Sequence, residues 1–187
     1  MHAGIFLDRD GVINEVLTHR VKFVNRPEDF YLLEGVGEAV KSFNDAGYKV
    51  FVVTNQGGIG LGFMDESALA DIHAKMDAEL KKFSASIDDV AFCPHKPKAG
   101  CDCRKPKPKM ILDLAKKHEV DLEKSYMIGD REPDIEAGKQ AGMKTILVGE
   151  REDKQKVEAD MCFSNLLSAA ARVAGEDVTF ANQYKDS

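Results

Sequence analysis

No apolar run in this 187-residue chain approaches the roughly 20 residues that a membrane-spanning helix requires, and its first residues hold no basic segment leading into a long apolar one. A soluble, cytoplasmic protein is expected. Positive charge is also in short supply, with 26 Lys and Arg against 32 Asp and Glu, a net charge of -6 and a pI near 5.4. That balance raises no basic field to gather a nucleic acid or an anionic membrane surface. Cysteine is scarce as well, yet three of the four cysteines crowd into residues 93–103 with His95 among them. In a reducing compartment such crowding reads as a metal site before it reads as disulfides. Hydrophobic residues at 43% and charged residues at 31% are ordinary for a folded domain. A chain of this length buries roughly 70% of the surface its unfolded form exposes, so one domain over 1–175 is expected, with 176–187 as a loose tail.

The apolar run Ile5-Phe6-Leu7 reads as a buried strand and stops at two carboxylates, Asp8 and Asp10, followed by Gly11. A glycine there lets the backbone turn and bring both acids to the strand's carboxyl end, where open α/β sheets place their ligands. Residues 15–35 read as a long loop. A helix carrying Val36, Ala39, Val40 and Phe43 and stopped by Gly47 leads to a second strand, 49–53, which ends on Thr54-Asn55-Gln56 and a run of glycines. Asp65 suits the N-cap of a helix striped with Leu69, Ile72, Met76, Leu80 and Phe83. Strand 90–92 then feeds the cysteine cluster. After it come a helix begun at Pro108 with Ile111, Leu112 and Ala115, strand 126–128, the turn Gly129-Asp130, a helix capped by Asp134, strand 145–148, a short strand at 161–163 and a helix over about 166–174. Cys162, in an apolar strand, reads as core. Alternating strands and helices imply a doubly wound, mostly parallel sheet with right-handed crossovers and helices on both faces.

Three strand ends thus carry polar residues that can converge on one crevice. Phosphoryl transfer needs a nucleophile, a cation, donors for the phosphate oxygens and a metal. Asp8 suits the nucleophile, Asp10 the acid/base, Thr54 and Asn55 the donors, Lys105 the cation and Asp130 a metal ligand. Each also has a plainer reading. Asp8 and Asp10 serve equally as turn residues before a glycine, Thr54 as a strand-end threonine, Lys105 as a solvated lysine, and Asp134 as a helix cap without chemistry.

Asp8-Arg9-Asp10-Gly11-Val12-Ile13-Asn14, Thr54-Asn55-Gln56, Arg104-Lys105-Pro106 and Gly129-Asp130-Arg131-Glu132-Pro133-Asp134 together resemble the four motifs of the haloacid dehalogenase superfamily of phosphatases. The resemblance covers residues 4 to about 170. It implies that Asp8 forms an aspartyl phosphate and that Asp10 protonates the leaving oxygen and then activates water. Mg²⁺ would be held by Asp8, the backbone carbonyl of Asp10 and Asp130, while Thr54 and Lys105 grip the phosphoryl group. No segment is long enough for an inserted domain, which places the chain with the capless branch of the superfamily. The expected partner is a small phosphorylated sugar or amino alcohol, and a monomer is expected.

Cys93, His95, Cys101 and Cys103 supply three thiols and an imidazole within eleven positions, enough for a closed tetrahedral Zn²⁺ site. Four protein ligands leave no open position, so the zinc is expected to fix the loop that carries Arg104 and Lys105. This loop narrows the resemblance to the group that includes the heptose bisphosphate phosphatases and the histidinol-phosphate phosphatases, with the heptose ester as first expectation. Asn55, Gln56, Arg104 and Arg131 are then substrate-binding candidates. One departure is Leu61, where the heptose enzymes commonly have arginine. From other classes, a module that keeps a phosphoryl group on aspartate leaves Asp10 unexplained, and an inactive zinc-stabilised interaction protein would show no activity even with magnesium present.

Overall fold

The first strand sits at the centre of the sheet. In the computed structural model, which describes residues 1–150 and 156–183, six parallel strands run in the order β3-β2-β1-β4-β5-β6. They are β1 (Gly4–Leu7), β2 (Lys49–Asn55), β3 (Asp89–Cys93), β4 (Tyr126–Gly129), β5 (Lys144–Val148) and β6 (Met161–Phe163). Register pairs Leu7 with Val52 on one side and with Ile128 on the other. The helices are α1 (Val36–Asp45), α2 (Gly57–Gly60), α3 (Glu66–Lys81), α4 (Lys109–Lys117), α5 (Glu132–Gln140) and α6 (Leu166–Gln183).

Strand alternation divides the core. Ile5 and Leu7 pack with Val36, Val40, Phe43, Ile72, Met76 and Val173 from α1, α3 and α6. Phe6 points the other way, against Phe51, Met110, Ile111, Leu114 and Ala137 on the side of α4 and α5. The chain steps from β1 to β2 to β3 in one direction along the sheet, then returns past β1 to β4 and β5 in the other. Crossovers of one hand taken in opposite directions put their helices on opposite faces. The reversal makes β1 the topological switch point, and its carboxyl end the crevice.

Several local expectations change. Asp65 does cap α3, accepting from the Ala68 amide at 2.8 Å. Phe83 falls beyond the end of α3 and is 39% exposed, its ring lying over the Gly37 backbone. Leu112 faces solvent because α4 buries Met110, Ile111, Leu114 and Ala115 instead. Cys162 is exposed rather than core. Its neighbours Met161 and Phe163 pack on the α1/α6 side, so alternation turns the thiol to the opposite face of this outermost strand. The N-cap of α5 is Arg131, and Asp134 sits three residues in, accepting the Arg131 N–H at 3.2 Å. A 3₁₀ turn, Pro27–Asp29, interrupts the long loop, and α2 forms from the glycine run. Helix α6 continues to Gln183, well into the segment read as a tail; residues 184–187 lie outside the described residues. Among the described residues only the 3₁₀ turn and α1 lie between β1 and β2 and only α2 and α3 between β2 and β3, so they contain no cap domain.

Candidate active site

Asp8 follows β1 directly, its amide still bonded to the Ile128 carbonyl at 3.1 Å, so its carboxylate is held at the strand tip. Gly11 then turns the chain at φ +87°, and a Cβ there would stand 2.3 Å from Asp130 Oδ2. Only glycine admits that approach of the β1 loop to the end of β4. One carboxylate oxygen from each of Asp8, Asp130 and Asp134 lies within 4.8 Å of the others, and all three residues are buried.

Lys105 reaches into this acid set from beyond the cysteine loop. Its ammonium donates to Asp8 Oδ1 at 2.9 Å and to the Val53 carbonyl at 2.6 Å, and it pairs with Asp134 Oδ1 at 2.7 Å, which occupies all three of its protons. Burial alone would discharge this lysine, but Asp134 and Asp8 outweigh it and hold its pKa above the ordinary value. Burial, then the charge of Asp134, pushes the Asp8 carboxyl well above the usual range; Lys105 opposes them and Asp130 adds to them. Three carboxylates against one ammonium leave two negative charges, which a divalent cation would match. Clustered hard oxygen donors suit Mg²⁺, so the residues fit the ion that the motifs imply.

Asp10 is held differently. Its Oδ1 accepts from Arg9 Nη2 at 2.8 Å, Arg9 Nε at 3.3 Å and Asn14 Nδ2 at 2.9 Å, while Oδ2 accepts from Gln56 Nε2 at 3.0 Å. Burial would raise its carboxyl, but the Arg9 charge and the bonds from Asn14, Arg9 and Gln56 keep it below the ordinary value. A cavity of about 680 Å³ opens above Asp8, Asp10, Lys105 and Asp134. One wall is the 15–26 loop, where Arg20 clasps Glu15 at 2.7 and 3.0 Å and lies 3.8 Å over the Tyr31 ring. Val21 and Val24 anchor that loop in the core, leaving Lys22 and Phe23 at the cavity. Leu61, Phe63, Met64, Arg104 and Arg131 are also among the lining residues.

Beside the cavity, at the end of β3, lie Cys93, His95, Cys101 and Cys103. Cys93 Sγ is 2.9 Å from Cys103 Sγ and 3.6 Å from Cys101 Sγ, and His95 Nδ1 is 3.2 Å from Cys103 Sγ and 3.4 Å from Cys93 Sγ. The edge of a Zn-centred tetrahedron of sulfur and nitrogen is about 3.4 to 3.8 Å, so the four donors are nearly gathered for that ion. Their loop is stitched to the end of β2. The Gly60 amide donates to the Pro94 carbonyl at 2.8 Å, and a Cβ on Gly60 would come within 2.6 Å of the Lys96 nitrogen. Glycine at 60 therefore admits the close approach of the cysteine loop.

The family model described as HAD-hydrolase-like matches residues 102–169. The D-glycero-β-D-manno-heptose-1,7-bisphosphate 7-phosphatase of Rhodopseudomonas palustris is 43% identical over 145 residues, covering 74% of this chain and 78% of its own. The Helicobacter pylori protein of the same name is 39% identical over 148 residues, 79% of this chain and 83% of its own. This chain belongs to the haloacid dehalogenase phosphatases, in the family of these relatives. A crystal structure of D,D-heptose 1,7-bisphosphate phosphatase from B. bronchiseptica, complexed with magnesium and phosphate, matches with a TM-score of 0.85 at 33% identity over 93% of this chain and 99% of that one.

Within this phosphatase site the motif residues divide into two groups. Asp8, Asp10, Lys105, Arg104 and Arg131 line the cavity, with Asp130 behind them against Gly11. Thr54 is buried off the cavity wall, its Oγ1 accepting from Gln56 Nε2 at 2.8 Å. Asn55 and Gln56 also line the cavity, but their amides are engaged with the protein. Asn55 accepts from the Lys105 amide at 3.0 Å and donates to the Lys105 carbonyl at 3.2 Å, clamping that residue's backbone. Gln56 bridges Asp10 and Thr54. Arg104 donates to the His95 carbonyl at 3.2 Å, tying the cysteine loop to the cavity. Sequence reasoning gave no role to Arg9, Asn14 or His73, which surround Asp10, or to Lys22 and Phe23. Asp10's placement in a motif signals Arg9 and Asn14, whereas His73 has no local signal at all.

Proposed function

We propose that this protein is a Mg²⁺-dependent phosphomonoesterase that removes the 7-phosphate of D-glycero-D-manno-heptose 1,7-bisphosphate. The observation that carries the reading is the buried Asp8–Lys105–Asp134 set, with Asp130 alongside, at the floor of a cavity whose mouth presents Lys22, Arg104 and Arg131. A nucleophile at the floor and cations at the mouth suit an ester with a phosphate at each end. The named relatives and the magnesium- and phosphate-bound relative support the same substrate and metal.

Asp8 attacks phosphorus, forming an acyl phosphate as the bond to the leaving oxygen breaks, and Asp10 gives that oxygen a proton. Water then attacks phosphorus as the Asp10 carboxylate takes a proton from it, and the Asp8–phosphate bond breaks to release inorganic phosphate. The carboxylate form in which Arg9, Asn14 and Gln56 hold Asp10 is the form this second half uses. Asp8, Asp130 and the Asp10 carbonyl would hold Mg²⁺, which when bound would supply charge neutralisation for the phosphoryl oxygens. Lys105 holds the transferring group, shared between nucleophile and phosphate, and Thr54, whose Oγ1 accepts from Gln56, would turn its hydroxyl proton to that group from behind the cavity wall. Asp134 fixes Lys105 and supports the metal carboxylates. Cys93, His95, Cys101 and Cys103 would hold a Zn²⁺, which would fix the loop on which Lys105 rides.

We place this activity in a monomer in the cytoplasm. The free thiol cluster, which suits a reducing compartment, supports that location, and no helix among the described residues is long and apolar enough to cross a membrane. The test is phosphate release from the heptose bisphosphate and from histidinol phosphate, each with and without Mg²⁺. A kcat/KM at least tenfold higher for the heptose ester is expected. A preference for histidinol phosphate would move the substrate to that class, which the apolar Phe23, Leu61 and Phe63 at the mouth would then explain.

A further inference from the structure

Arg9 is the largest fully buried side chain among the described residues, at 0% exposure. Its Nη2 and Nε go to Asp10 Oδ1, and its Nη1 lies 3.2 Å from His73 Nε2 on α3. Arginine has no acceptor, so His73 Nε2 must accept and the ring proton must sit on Nδ1. Burial first, and the Arg9 charge second, push the His73 pKa down to about 4, against a smaller upward pull from Asp10, so the ring is neutral at working pH. His73 lies at the margin of the stripe Leu69, Ile72 and Met76 that fixes α3 to the core. An apolar pair at 9 and 73 would join α3 to the β1 loop without burying a guanidinium, so packing alone does not account for these two residues.

We propose that His73 is a positioning residue for the reaction: through Arg9 it sets the orientation of Asp10, pinning Oδ1 and presenting Oδ2 to the leaving oxygen. Asn14 completes the grip on Oδ1. Gln56 Nε2 is a side-chain amide that bridges Oδ2 to Thr54, and it can yield when a phosphoryl group arrives. Loss of the His73 acceptor leaves Arg9 Nη1 unsatisfied in the interior, which frees the guanidinium to shift and takes Oδ1 with it. The inference rests on the acid role given to Asp10 above, and the test separates the two.

Holoenzyme variants His73→Leu, His73→Gln and Asp10→Asn are compared on an alkyl phosphate and on p-nitrophenyl phosphate, whose leaving group departs without a proton. Because kcat/KM reports steps through the first irreversible one, it isolates phosphoryl transfer from hydrolysis of the acyl phosphate. His73→Leu is expected to lower kcat/KM for the alkyl ester by about 10- to 100-fold, part of the roughly 10²- to 10⁴-fold that a positioned acid supplies, and to lower the aryl value by less than threefold. Glutamine, whose Oε1 can stand where Nε2 stood, is expected to restore most of the loss. An equal fall on both esters, or no rescue by glutamine at matched thermal stability, would overturn the proposal. If Asp10→Asn itself shows no leaving-group dependence, the acid role of Asp10 fails instead.

Discussion

Two clusters of ligating side chains lie side by side in this molecule, and they are built on opposite plans. The acid set takes one residue from the end of β1, one from the end of β4 and one from the first turn of α5, so three elements of the core must fold before it exists. Its donors are hard oxygens, and a cavity opens onto Asp8 and Asp134. The thiol set comes from eleven consecutive positions at the sheet's edge and closes on itself with soft donors. An open oxygen site suits an exchangeable cation that works on phosphate, and a closed sulfur site suits a permanent ion that holds shape. The two plans meet in Lys105, whose backbone is governed by the cysteine loop and Asn55 and whose ammonium belongs to the acids.

If that division is right, damage to the acid set should remove chemistry and spare the fold. Asp8→Asn is expected to lower kcat by about 10⁴-fold or more, with unchanged circular dichroism and zinc content; retained turnover would take the nucleophile role from Asp8. Damage at the junction should do both. Lys105→Met leaves Asp8 and Asp134 buried without their shared cation, and a loss of about 3 to 5 kcal/mol in denaturant unfolding is expected along with a large fall in kcat. Damage to the thiol set should act on stability first. Cys101→Ser is expected to lose zinc and lower the melting temperature by more than ten degrees, since structural zinc contributes on the order of 10 kcal/mol. Metal analysis and calorimetry read that outcome directly, and an intact zinc content would break the ligand set.

Acid titration gives a smaller and more selective contrast. His73 has an ordinary pKa near 6.5 when unfolded and about 4 when folded, so between those values the unfolded chain binds the extra proton. Stability from this residue is complete above about pH 6.5 and is lost as the pH falls toward 4. His73→Gln should flatten that limb relative to the parent, as unfolding free energies measured from pH 7 to 4 will show. The smallest effect is expected at the mouth. Leu61→Arg should lower KM for a bisphosphate a few-fold and leave a monophosphate unchanged.

The strand ends were legible because each short apolar run stops abruptly at a chemical residue: Leu7 before Asp8, Val53 before Thr54, Gly129 before Asp130. A buried parallel strand has no polar face, so such a stop can be read without a partner strand. The cysteine loop was legible for another reason, since its donors are near neighbours in sequence. What escaped notice depends on contacts between distant segments. His73 meets Arg9 across 64 positions and carries the same 3.6-residue periodicity as the core residues around it. Asn55 and Gln56 line the cavity as substrate-binding candidates, but their bonds to Lys105, Asp10 and Thr54 could not be read from the sequence. A carboxamide at a strand end can face a ligand or a backbone, and only the return of Lys105 to β2 decides which. Cys162 was misjudged because an apolar strand at a sheet's edge has one uncovered face.

The most direct test is a crystal of the protein soaked with Mg²⁺ and a metal fluoride that mimics a phosphoryl group. A magnesium bonded to Asp8 and Asp130 at about 2.1 Å, with the mimic against the free Asp8 oxygen and Lys105, is the predicted result. A mimic seated elsewhere in the cavity, or a magnesium that touches neither aspartate, would contradict it.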